Sequence, residues 1–122
     1  MNNLDLVGRL LENSFGHPSP SGTYSLKHQL EGERLAVNYA TIVHFASEQS
    51  LQIQLTRLRE QAAQMVDDCL SKLKKDFRDE SGSSLKLEDL GGNDNLELIS
   101  ASAHSPRKVA YFRYSRSLEI TV

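Results

Sequence analysis

Apolar positions recur every three or four residues through residues 57–78. Leu58, Ala62, Met65, Cys69, Leu73 and Phe77 fall along one side of a helix, and Val66 and Leu70 widen that stripe. Charged and glutamine residues fill most of the remaining positions, and no Gly or Pro interrupts the run. Lys72, Lys74, Lys75 and Arg78 crowd its C-terminal end, where positive charge complements the helix dipole. Gly82 just beyond is a stop signal. The pattern predicts a helix roughly 33 Å long, and the other predicted elements are arranged about it.

Residues 3–15 read as a short amphipathic helix, with Leu4, Val7, Leu10 and Leu11 on one face, Leu6 near its edge and Asn3 as a possible cap. A helix this short is marginal alone, so it must dock on its own sheet or on a neighbouring subunit. Residues 16–22, Gly-His-Pro-Ser-Pro-Ser-Gly, form a loop by composition.

A period of two then takes over. Tyr24, Leu26, His28 and Leu30 alternate with polar residues, as do Leu35, Val37, Tyr39, Thr41, Val43 and Phe45. Between the runs sits Glu31-Gly32-Glu33-Arg34, with Gly32 at the first central position of a type II′ turn. That turn pairs Leu30 with Leu35, His28 with Val37, Leu26 with Tyr39 and Tyr24 with Thr41, all on one face, and sets Glu31 opposite Arg34. After Phe45, the alternation of Leu51, Ile53 and Leu55 with Gln52 and Gln54 predicts a third strand. It would pair Leu51 with Phe45 and Ile53 with Val43, and the long helix would start at Thr56. The alternative is a helix that already begins at Ser47 as its cap.

Past Gly82, Leu85 and Leu87 suggest a short strand, Gly91-Gly92-Asn93-Asp94 a loop, and residues 96–103 a weaker strand. Ser105-Pro106-Arg107-Lys108 has the residue preferences of a type I turn. In the final run Ala110, Phe112, Tyr114, Leu118, Ile120 and Val122 share a face, broken only by Arg116. The predicted order is α-βββ-α-βββ. Short turns between consecutive strands imply antiparallel pairing, so the expected class is α+β, with helices packed on antiparallel sheet. A chain of 122 residues fits one domain spanning 1–122.

Composition narrows the function classes. The net charge is −2 and the pI about 6.1, so no overall positive field favours nucleic acid or an acidic membrane. A single cysteine excludes an internal disulfide framework and suits a reducing compartment. The N-terminus lacks the pattern of a secretory signal, and no run approaches the length of a membrane span. These features predict an intracellular protein with no membrane association.

Candidate chemistry is sparse. His17, His28, His44, His104 and Cys69 show no zinc-site spacing, and the inferred register points His28 and His44 to opposite faces. No metal and no cofactor are expected. There is no nucleophile elbow, P-loop or dinucleotide fingerprint. Cys69 lies on the apolar stripe as a buried thiol, and adjacent Asp67 and Asp68 diverge by about 100° on a helix. The chain therefore reads as noncatalytic.

Two binding readings follow. Arg107, Lys108, Tyr111 and Arg113 interleave basic and aromatic residues, a pattern that can stack and neutralise nucleic acid. The α-β-β-β-α order also resembles double-stranded-RNA-binding domains, but their basic motif at the start of the second helix is absent, and the acidic pI disfavours a nucleic-acid partner. The other reading is association. The last strand outruns its partner at residues 96–103, so Leu118, Ile120 and Val122 need cover from residues 84–88 or from a second copy. These three residues are the expected interface of a homo-oligomer.

The block Leu10-Leu11-Glu12-Asn13-Ser14-Phe15-Gly16-His17-Pro18-Ser19-Pro20-Ser21-Gly22-Thr23-Tyr24, with Ser105-Pro106-Arg107-Lys108-Val109-Ala110-Tyr111, resembles small proteins of marine T4-like tailed phages. The resemblance implies a small virion or assembly protein of the neck, tail or baseplate. Such a protein would work as an oligomer with other virion proteins, in the host cytoplasm or the particle. It implies no catalytic residue.

Overall fold

The computed structural model describes residues 3–15, 24–101 and 107–122. The elements run α1 (Asn3–Phe15), β1 (Tyr24–Glu31), β2 (Arg34–Phe45), α2 (Glu48–Ser81), β3 (Lys86–Ala101) and β4 (Lys108–Thr121). The class is α+β, and the strands form one antiparallel sheet in the order β1-β2-β4-β3. The loop predicted at residues 16–22 lies outside the described residues, as do His17, His104 and the Ser105-Pro106 part of the predicted turn.

The β1–β2 hairpin has the register that its sequence predicts, from Tyr24 opposite Thr41 to Glu31 opposite Arg34. Gly32 has φ 58° and no non-glycine residue has positive φ among those described. A type I′ turn would need positive φ at Glu33 as well, so the turn is type II′.

The third strand predicted at residues 51–55 is helix instead. Ser47, in extended conformation, accepts a hydrogen bond from Ser50 N at 3.1 Å through its Oγ and caps α2. Leu51 and Leu55, four apart, are buried, whereas Ile53 between them is 52% exposed. Thr56 is no cap: its hydroxyl donates to Gln52 O at 3.0 Å inside the helix. α2 ends at Gly82, whose φ of 75° lets its N–H donate to Arg78 O at 2.9 Å. Its 34 residues extend about 50 Å.

The strands predicted on either side of Gly91-Gly92 are one strand, β3, so the expected loop there is absent and the order is α-ββ-α-ββ. Gly91, at φ 107°, sits where the register shifts between Asp89 and Gly91, and a second shift lies between Leu98 and Ser100. The glycines make a bulge instead of a turn. At Gly92 the strands approach closely: a Cβ there would stand 2.7 Å from Ser115 O.

Both helices cover one face of the sheet. Around α1, the C-terminal half of α2 and Leu35, Val37, Leu118 and Ile120 lies one apolar cluster. Tyr39, Val43, Phe45, Ala110 and Phe112 form another with Leu51, Leu55 and Ala62. Leu26 and Tyr114 pack against both. Phe77 and Phe112 are among the largest fully buried side chains, each contributing about 1.5–3 kcal/mol by burial. The opposite face carries exposed Asn38, Ile42, His44 and Arg113 and has no helix among the described residues.

Candidate functional site

Within the inward stripe of β4 from Ala110 to Ile120 one residue is charged, Arg116, in the cross-strand row between Val37 and Gly92. Its guanidinium meets carboxylates from two directions. Nε donates to Asp89 Oδ2 on β3 at 3.1 Å, Nη2 pairs with the same oxygen at 2.9 Å, and Nη1 donates to Asp67 Oδ1 on α2. Only 18% of the Arg116 side chain is exposed, against about half of each carboxylate. Burial works against charge on Arg116, but the hydrogen bonds and attraction of Asp67 and Asp89 outweigh it and raise its pKa.

The bulge positions Asp89. Gly91 N donates to Asp89 Oδ1 at 2.9 Å, and this bond is the largest cause holding the carboxyl below its usual range. Slight burial opposes it, and Arg116 adds to it. About two turns back along α2 from Asp67, Arg59 pairs with Asp94 of β3. Arg59, Asp89, Gly92, Asn93, Asp94, Tyr114 and Arg116 line a cleft of about 490 Å³ between α2 and β3. Both arginines are paired and Asp89 is held ionised, so the groups are arranged to fasten helix to sheet.

On the other flank of α2, Tyr24, Tyr39, Thr41, Leu58, Gln61, Gln64 and Met65 line a more apolar cleft of about 460 Å³. Tyr24 and Tyr39 stack at 5.5 Å, and burial followed by Tyr24 pushes the Tyr39 hydroxyl pKa up. His28 contacts the α1 side, with its ring 5.7 Å from Phe15 and Nε2 3.5 Å from Glu12 Oε1. His44 is exposed on the far face of the sheet. Cys69 is half-buried beside the first cluster; burial, then Asp68, raise its pKa against the pull of Lys72. Among the described residues no three His, Cys, Asp or Glu side chains gather as a metal site, and no helix is long and apolar enough to cross a membrane.

The residues expected to form an interface do not form one together. Leu118 is 2% exposed and Ile120 fully buried, both inside the first cluster, because β3 extends far enough to pair Asp89 with Leu118 and Leu87 with Ile120. Val122 alone is exposed. A β3 divided at Gly91-Gly92 would leave the end of β4 short of cover; the continuous strand supplies it. Of the basic set, Arg107 and Lys108 are exposed at the start of β4, while Arg113 lies 5.4 Å over the Tyr111 ring and 3.9 Å from Glu97. Tyr111 and Arg113 thus share one face, with Arg113 engaged by an acid.

Sequence reasoning noticed that Arg116 breaks an apolar stripe but missed its partners. A lone arginine in a strand's inward register is the signal that could have found them, since such a charge requires acids on the elements packed above it. Compared with protein-family models, characterised proteins and solved structures, the chain gives no match.

Proposed function

We propose that this chain is a noncatalytic assembly module that works by protein–protein association, most simply with copies of itself. One observation carries the reading: among the described residues, helices cover a single face of the sheet, and its two edge strands, β1 and β3, each have one paired side. Open strand edges are surfaces for strand addition, and symmetric self-association is the commonest way to cover them. Leu90, Leu98 and Ile99 on β3, with Ile42 on the bare face, leave further apolar surface at the sheet. The resemblance to small proteins of T4-like phages favours a virion neck, tail or baseplate as the setting, and detection of the chain in purified particles tests it.

Light scattering coupled to size exclusion tests the association. The expected mass exceeds the 13.7 kDa protomer and rises with concentration. A constant protomer mass at high concentration overturns the reading. Oligonucleotide binding that falls steeply with salt would overturn it in favour of a nucleic-acid partner for Arg107, Lys108, Tyr111 and Arg113.

A further inference from the structure

The two sheet edges are unlike. β3 is broken by register shifts at Asp89/Gly91 and Leu98/Ser100, and it carries Glu88, Asp89, Asp94 and Glu97. Bulges and like charges both oppose the addition of another copy of the same strand. β1 pairs with β2 without a break from Tyr24 to Glu31 and contains no proline.

The backbone of β1 is set to receive a strand. Ile120 N donates to Glu33 O at 2.7 Å, which fixes the alternation along β2: every second residue turns its backbone groups toward β4. The residues between them, Arg34, Ala36, Asn38 and Ala40, turn toward β1 and meet Glu31, Gln29, Lys27 and Ser25. The N–H and C=O groups of Tyr24, Leu26, His28 and Leu30 therefore point to the open side. Among the described residues, no backbone hydrogen bond outside the helices and strands reaches them.

We infer that a second copy of this chain adds to β1 antiparallel, about a two-fold axis at Gln29, joining two sheets into one. The inference rests on the association reading above and specifies its edge and register. Only registers that set helix-side residues opposite helix-side residues keep both helical layers on one side. Among these, an axis at Lys27 places two lysines directly opposite, and an axis at His28 sets Lys27 against the partner's Gln29. The axis at Gln29 sets Lys27 directly against the partner's Glu31, and by symmetry does so twice. Lys27, Gln29 and Glu31 are all exposed on the bare face. A lysine on an edge strand ordinarily deters pairing; here Glu31, on the same face, supplies its counter-charge.

Two sets of variants test the register, with Cys69→Ser in every chain. Gln29→Cys should form a disulfide with its own copy under mild oxidation. Lys27→Cys mixed with Glu31→Cys should cross-link, whereas Lys27→Cys alone should not. Without added cysteines, Lys27→Glu should weaken association by about tenfold, as expected for two opposed charge pairs, and Lys27→Glu with Glu31→Lys should restore it. If the protein associates but Lys27→Cys links to itself, or no cysteine links, or Lys27→Glu changes nothing, this edge and register are overturned while the association reading stands. A protomer at every concentration overturns both.

Discussion

Arg116 on β4 and Asp89 on β3 are joined by a hydrogen bond and an ion pair, yet they are not cross-strand partners: Arg116 faces Gly92, and Asp89 faces Leu118. The bulge between Asp89 and Gly91 bends β3 so that the carboxylate reaches along the strand. The same guanidinium holds Asp67 on α2. One side chain thus ties three elements where the two apolar clusters adjoin.

Arg116→Ala should lower unfolding free energy by about 1–3 kcal/mol, since it removes both the charge-assisted bonds and the packing of the arginine stem. Arg116→Met should cost about 1 kcal/mol or less, because Asp67 and Asp89 are half-exposed and can hydrate once released. Urea unfolding of the two variants checks the order. Equal losses would show that the ion pairs outweigh the packing.

Asp89 gives the acid limb of the stability curve a defined sign. Its folded pKa is lowered, by Gly91 N–H first and by Arg116 as well. The folded state therefore binds its proton less readily than the unfolded chain does. The stabilisation is complete above the ordinary aspartate range near 3.9 and is lost as pH falls through the lower folded value. Asp89→Asn should flatten stability against pH in that acid window and leave the neutral-to-basic limb parallel to wild type, as followed by denaturant midpoints.

Gly92→Ala should destabilise by about 1–3 kcal/mol, because the new methyl meets the fixed backbone oxygen of Ser115 at 2.7 Å. Nothing lies near a Cβ at Gly91, but its φ of 107° strains any L side chain. Both alanine variants should melt earlier for different reasons. Only Gly92→Ala should perturb the β3–β4 amide resonances around Ser115.

Ile120→Ala should behave as a core mutation, with a loss of about 2–5 kcal/mol whatever the protein concentration. Val122→Ser should stay within about 0.5 kcal/mol. A midpoint for Ile120→Ala that recovers with concentration would show that Ile120 contributes to an interface.

The hairpin was legible because its information is local: a glycine at the first turn position and two alternating runs admit one register. The start of α2 misled because Leu51, Ile53 and Leu55 alternate like a strand. Two of the three are buried at helical spacing, and the third faces solvent. The deciding signal was Ser47, whose capping hydroxyl outweighs a short alternation. Gly91-Gly92-Asn93-Asp94 reads as a turn by composition, but glycine also serves bulges, and only the partner strand separates the two uses. The Arg116 cluster was half legible. The charge within the apolar stripe is visible along β4, whereas Asp67 and Asp89 lie on other elements that only the folded chain brings near.

The order β1-β2-β4-β3 has a kinetic consequence. The central seam of the sheet joins β2 to β4, two stretches separated by all of α2 and β3. Each outer pair, by contrast, closes a shorter loop. Closing the longer loop costs more chain entropy and slows the step that needs it. Two locally formed β-pairs should appear first during refolding and wait for the helix to bring them together. Pulse-labelled hydrogen exchange would then protect Gln29 amide, which faces β2, before the amide of Leu35, which faces β4.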